Sequence, residues 1–175
     1  MARSALLNIM TKAAFKAGRS LARDFGEVQN LQVSMKGPAD FVSEADVKSE
    51  KIIRAELYES RPDFGFLMEE RGEIKGRDLQ NRWIVDGLDG TTNFLHGNPH
   101  FCISIALERE NEIVAGVVYN PARDELFAAE KGSGAFADDS RMRVSARRNL
   151  PECLVASYIP QLGKKGHGQM LREQQ

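Results

Sequence analysis

Residues 83–94 read Trp83-Ile84-Val85-Asp86-Gly87-Leu88-Asp89-Gly90-Thr91-Thr92-Asn93-Phe94. Three bulky apolar residues in succession, two of them β-branched, describe a short buried strand. The strand runs straight into two carboxylates, two glycines and two threonines. Asp-Gly is the strongest short-range hairpin signal, so a plain polar turn explains these residues as well as a ligand site does. The flanking chain has to decide between them.

Upstream, a second apolar run, Phe64-Gly65-Phe66-Leu67-Met68, stops abruptly at Glu69-Glu70. If the two strand ends are neighbours, three or four carboxylates converge. Two such charges at ~4 Å repel by roughly 4 kcal/mol at an effective dielectric near 20. A divalent cation would relieve that, and all-oxygen ligation favours Mg²⁺, Mn²⁺ or Ca²⁺ over zinc. One protonated carboxylate in an acid/base pair is the alternative. The spacing does not fit an EF-hand, since Leu88 and Gly90 fall where its ligands should be. Nor are there enough glycines for a Walker loop, although Gly90-Thr91-Thr92 could aim backbone N–H groups at an anion.

Further out, Ser4 is placed to cap a helix running to about Phe25, with Leu6, Ile9, Met10, Ala13, Ala17, Leu21 and Phe25 on one stripe. Leu31, Val33 and Met35 suggest a half-exposed strand, and 36–40 a loop. Ser43 and Asp46 open a second helix to about Glu59, with Val47, Ile52, Ile53 and Leu57 as its apolar side. Residues 72–81 form a polar connection. After the opening strand come strand patterns at 100–108, 113–119, 125–130, 135–136 and 142–144, separated by turn signals. Two helices and then a meander predict an α+β fold with the helices on one face of an antiparallel sheet. This N-terminal domain is expected over 1–148. A strand at 153–158 and the start of a helix at 169–173 are expected to begin an incomplete second α/β unit over 149–175.

At 175 residues, with 24 basic against 25 acidic side chains, the chain shows no blanket preference for nucleic acid or anionic membrane. No apolar run reaches the length of a membrane span. Cys102 and Cys153 lie in apolar runs and are expected to be reduced core residues of a cytoplasmic protein. Arg141, Arg143, Arg147 and Arg148 suit a solvated strand edge.

Together, Phe66–Glu70, Trp83–Phe94, the loop Lys36-Gly37-Pro38-Ala39-Asp40 with Asp46 beyond it, Gly116–Tyr119 and Lys131–Phe136 resemble the inositol monophosphatase family, in the family's order. The resemblance implies a layered α-β-α-β-α sugar phosphatase fold and Mg²⁺-dependent hydrolysis of an inositol or sugar phosphate monoester. It implies two or three Mg²⁺ per site, lithium sensitivity and a homodimer. Fructose-1,6-bisphosphatase-like or nucleotide 3′-phosphatase activity is the near alternative. A regulatory role in RNA machinery that keeps the fold is a more distant one.

By the family pattern Glu69, Asp86 and the Leu88 carbonyl would hold one ion, Asp86 and Asp89 a second, and Glu69 a third. Gly90 and Thr91 would bind the phosphate through backbone N–H groups, and Lys36 would add positive charge. Thr91, with Glu69 or Glu70, would orient the attacking water, and Asp46 would hydrogen-bond the Thr91 hydroxyl. Two departures stand out. Gly87 occupies the place of the family's proline, which implies a looser Leu88 ligand. The later Trp-Asp motif that completes the family's second metal site is not reached, so the 175-residue chain is expected to be impaired alone.

Overall fold

The computed structural model describes residues 4–27, 33–37 and 40–155, with backbone only at 33–37 and 40–43. In chain order the elements are α1 (Ala5–Phe25), β1 (Val33–Gly37), β2 (Asp40–Ser43), α2 (Glu44–Ser60), β3 (Phe64–Met68), β4 (Gly72–Ile74) and β5 (Asp78–Asp89). Then follow α3 (Thr91–Leu95), β6 (Cys102–Arg109), β7 (Glu112–Asn120), β8 (Glu125–Glu130), β9 (Gly134–Ala137) and β10 (Ser140–Arg141).

The first helix begins where its cap predicts. Ser4 Oγ accepts from the Leu7 N–H at 3.1 Å, satisfying one donor of the first turn. Its buried stripe is Leu7, Met10, Ala13, Ala14, Ala17 and Leu21, with Leu6, Ile9 and Phe25 packed at its margins. The helix lies on β7 and against α2, and α2 lies on β5. Both helices therefore share one face of the main sheet.

That sheet has eight strands in the order β10-β9-β8-β7-β6-β5-β3-β4. From β5 to β10 it is the expected antiparallel meander. The expectation of a wholly antiparallel sheet fails at one place: β3 and β5 pair in parallel, Phe66 opposite Trp83 and Met68 opposite Val85. The connection 72–81 is not plain loop either. It contains the edge strand β4 and the first residues of β5, and β4 folds back antiparallel on β3. The core between helices and sheet contains Trp83, Phe66, Leu88, Ile103, Ile105 and Leu107, all nearly or fully buried. On β6 it is Ile103, Ile105 and Leu107 that face inward, as their alternation requires.

Three further expectations are corrected. Val47 is exposed; the inner face of α2 carries Ala45, Asp46, Ser49, Glu50, Ile53, Glu56 and Leu57. Residues 142–144 are not a strand, because the last pairing is Ser140–Arg141 on β9. Cys153 is exposed and Cys102 half-buried, so neither thiol belongs to the core. A 3-10 turn at Leu150–Glu152 follows, and 153–155 form no strand. The remainder of the expected second unit lies outside the described residues. Among the described residues no helix is long and apolar enough to cross a membrane.

Polar residues face inward on α2 for two reasons. One is the α1–α2 contact. Glu56, only 5% exposed, is met by Lys12 at 2.9 Å and by Lys16. The Lys16 hydrogen bond, then that of Lys12, holds the Glu56 carboxyl below its ordinary pKa. A depressed carboxylate contributes stability above its unfolded pKa and loses it as pH falls through the folded value. Glu56→Gln should therefore cost about 1 kcal/mol at neutral pH. Thermal melts of the two proteins should start to converge as pH falls below the ordinary carboxylate range and meet once it passes the depressed Glu56 value. A melting difference that stays constant from pH 7 to 3 would mean that the charge contributes nothing.

Candidate active site

The second reason lies at the end of β5. Parallel pairing brings the end of β3 beside Val85 of β5, and the Glu69 N–H donates to the Val85 carbonyl at 3.3 Å. Glu69-Glu70 therefore starts where Asp86 starts. On the other side of β5, Asp86 pairs with Ser104 and Asp89 with Cys102. β5 advances one residue more than β6 over that interval, which is a β-bulge. Gly87-Leu88 is not the hairpin turn that Asp-Gly suggests, because pairing resumes at Asp89.

Within the bulge the Leu88 side chain drops into the core, 0% exposed. Its N–H donates to Asp86 Oδ1 at 3.0 Å, and its carbonyl accepts from Thr91 Oγ1 at 3.0 Å. The strand then stops at Gly90, whose φ of 87° is left-handed and whose Cβ, if it had one, would lie 2.9 Å from the His100 carbonyl. Beyond it the short α3 is held by Phe94, which is fully buried edge-on to Phe101 at 5.0 Å.

From behind, α2 presents Asp46, Ser49 and Glu50 to these turns. Ser49 Oγ donates to the Gly87 carbonyl at 2.7 Å, and Glu50 Oε1 accepts from the Glu70 N–H at 3.0 Å. A Cβ on Gly87 would lie 2.8 Å from Glu50 Cγ and 2.9 Å from the Glu50 backbone nitrogen. The residue's role is thus not looseness, as the missing proline implies, but the close approach of α2.

The carboxylates run from the interior to the surface. Asp46 and Glu50 are buried, Glu70 and Asp86 half-buried, Glu69 and Asp89 exposed. Burial, then the charges of Glu70, Asp86, Glu50 and Glu69, push the Asp46 carboxyl up to about 8. Burial and then Glu69 push Asp86 up to about 7, against the hydrogen bond from Leu88, with Asp89 adding to the rise. Burial raises Glu50 as well, partly offset by the Glu70 N–H. Cys102 Sγ stands 3.7 Å from Asp89 Oδ2, and burial with that negative neighbour pushes the thiol up to about 12.

Among the described residues no group of three or more His, Cys, Asp and Glu side chains is placed to hold a metal ion by itself. The donors instead fall into the neighbouring pairs Glu69/Asp86 and Asp86/Asp89, with the Leu88 carbonyl beside them. Mg²⁺ is commonly held by one or two carboxylates with water and substrate phosphate completing its shell. Oxygen donors crowded against one another beside a half-buried carboxyl fit such an ion.

Lys36 lies on β1, whose partner β2 packs beside α3 and α2, so its strand adjoins the site. His96 Nδ1 contacts the Thr92 carbonyl at 2.8 Å, and the His100 carbonyl accepts from Asn93 Nδ2 at 2.7 Å; both histidines are exposed and close a turn. The four arginines at 141–148 are solvent-exposed. Ser49 and Glu50 are the site residues that reading the sequence misses. Asp46, Glu50, Ile53 and Leu57 recur at helical spacing, so a polar pair on an inward stripe was the available signal.

Residues 2–171 match the sequence pattern described as the inositol monophosphatase family. The chain belongs to that family. An inositol-1-monophosphatase of Rhizobium meliloti (strain 1021) is 65% identical over 173 residues, covering 99% of this chain and 65% of the relative. The crystal structure of the extragenic suppressor protein suhB from Bartonella henselae is 65% identical, with a TM-score of 0.93 over 98% of this chain and 66% of that one. The Nus factor SuhB of Pasteurella multocida (strain Pm70) is 40% identical over 155 residues, 89% of this chain and 58% of the relative. The chain thus spans 58–66% of the length of these relatives.

The cramped bulge makes a direct prediction. Gly87→Ala should destabilise by about 1–3 kcal/mol, because a helix backbone atom cannot step aside as a side chain can. Gly87→Pro should do no better. A melting temperature for either variant equal to or above that of the parent would show that α2 does not press on the bulge.

Proposed function

We propose that this chain carries the metal and phosphate site of a Mg²⁺-dependent phosphatase that hydrolyses a phosphate monoester of inositol or a related sugar. One observation carries the proposal most: parallel pairing and a bulge gather Glu69, Asp86, Asp89 and the Leu88 carbonyl at one strand end. Membership of the family supports it, as does the name of the Rhizobium relative.

In this reading Glu69, Asp86 and the Leu88 carbonyl hold one cation, Asp86 and Asp89 a second, and Glu69 a third. Bound Mg²⁺ would neutralise the carboxylates, polarise the phosphoryl oxygens and acidify a bound water. The chain's own residues do the positioning. Backbone N–H groups of Gly90 and Thr91, at the start of α3, face the phosphate. The Thr91 hydroxyl donates a hydrogen bond to the Leu88 carbonyl, leaving its lone pairs to accept from a water. Glu69 or Glu70 takes the other proton as that water's oxygen bonds to phosphorus and the bond to the ester oxygen opposite it breaks, the departing alkoxide taking a proton from solvent to leave as the alcohol. Asp46 supports the site from behind, and Lys36 adds positive charge beside the phosphate.

Asp86→Asn should lower Mg²⁺-dependent release of phosphate from inositol 1-phosphate by ~100-fold or more, since several kcal/mol of transition-state stabilisation go with the cations. Mn²⁺ affinity should fall in parallel. Fructose 1,6-bisphosphate and a nucleoside 3′-phosphate, assayed beside it, test the substrate class. An Asp86→Asn protein that keeps full turnover and full Mn²⁺ affinity would sink the assignment.

A further inference from the structure

We infer that Ser49 and Glu50 act as a two-point clamp that sets the spacing of the cation-binding turns, and that they are positioning residues for the site proposed above. The inference rests on that reading of Glu69 and Asp86. It concerns residues that touch neither cation nor substrate.

The two side chains are consecutive on α2, and each ends on the backbone of a different carboxylate-bearing turn. Ser49 Oγ holds the Gly87 carbonyl at 2.7 Å, one residue after Asp86. Glu50 Oε1 holds the Glu70 N–H at 3.0 Å, one residue after Glu69. A single rigid turn of helix thus spans the gap between the two turns. Glu69 and Asp86 repel each other, and without a fixed support that repulsion would open the gap in which a cation must sit.

Packing alone does not account for Glu50. It is 0% exposed, and its Oε2 has no hydrogen-bond partner among the described residues. An apolar side chain of similar volume would avoid that desolvation cost if filling space were the only task. What such a side chain cannot supply is an oxygen acceptor for the Glu70 N–H. Gly87 is the complementary half of the device, because the missing Cβ lets the Glu50 turn come within contact distance of the bulge.

The test is Mn²⁺ binding to the 175-residue protein, followed by the EPR signal of the free ion, in the parent and in Ser49→Ala, Glu50→Ala, Glu50→Gln and Glu56→Gln. Ser49→Ala and Glu50→Ala should each weaken Mn²⁺ binding about tenfold or more, as loss of a residue supporting metal ligands does. Glu50→Gln keeps an oxygen acceptor for Glu70 N–H and should stay within about threefold of the parent. Glu56→Gln, at the α1–α2 contact away from the turns, should lower the melting temperature and leave Mn²⁺ affinity unchanged. If Glu50→Ala does not fold, Ser49→Ala decides, since it removes only a hydroxyl. Parent-like Mn²⁺ affinity in Ser49→Ala and in any folded Glu50→Ala would overturn the clamp while leaving the phosphatase reading intact. So would equal loss in Glu50→Gln and Glu50→Ala. Absence of Mn²⁺ binding by the parent would overturn both.

Discussion

Everything at the site depends on one pairing, that of β3 with β5 in parallel. In a sheet whose other pairings are all antiparallel, it is the exception, and it needs a crossover. The crossover here is short, made of β4 and the residues that lead into β5. Its consequence is that β3 ends level with Val85 while running in the same direction as β5, so that Glu69 and Glu70 leave the sheet beside Asp86 and the bulge that leads to Asp89. An antiparallel pairing would have put Glu69 and Asp86 at opposite ends of the sheet.

Convergence of this kind is unfavourable unless something opposes it. The raised Asp46, Glu50 and Asp86 carboxyls express that cost, through burial first and neighbouring carboxylates second. Three features of backbone conformation and hydrogen bonding counter it: the bulge that turns the Leu88 carbonyl toward Thr91, the left-handed Gly90 that ends the strand, and the α2 turn that bonds both carboxylate-bearing loops. Phe94 and Phe101 hold the far side by ring packing. The site is thus stiffened from behind and left open at Glu69 and Asp89.

Much of this was legible in the residues. Ser4 and the stripe from Leu6 to Phe25 specify α1, and the abrupt end of Phe64–Met68 marks the end of β3, because apolar runs and caps are local signals; the end of Trp83–Val85 does not mark that of β5, which runs on through the bulge to Asp89. The relative direction of β3 and β5 was not legible: it is a property of the crossover, and residues 72–81 carry little apolar patterning. The inward face of α2 was misjudged for a related reason. Val47 looks like core and Glu50 like surface until the carboxylate turns are known to lie beneath that helix. Gly87 shows the same limit, since its need for space comes from a helix nearly forty residues away in sequence. Functional polar residues break the hydrophobic pattern, so they are read best when their neighbours are already placed.

The most direct measurement is anomalous diffraction from crystals soaked in Mn²⁺. Peaks are expected within bonding distance of carboxylate oxygens of Glu69, Asp86 and Asp89, with the Leu88 carbonyl among the ligands of one ion. Crystals saturated with Mn²⁺ that show no peak at this strand end, or show it only at unrelated surface carboxylates, would contradict the account.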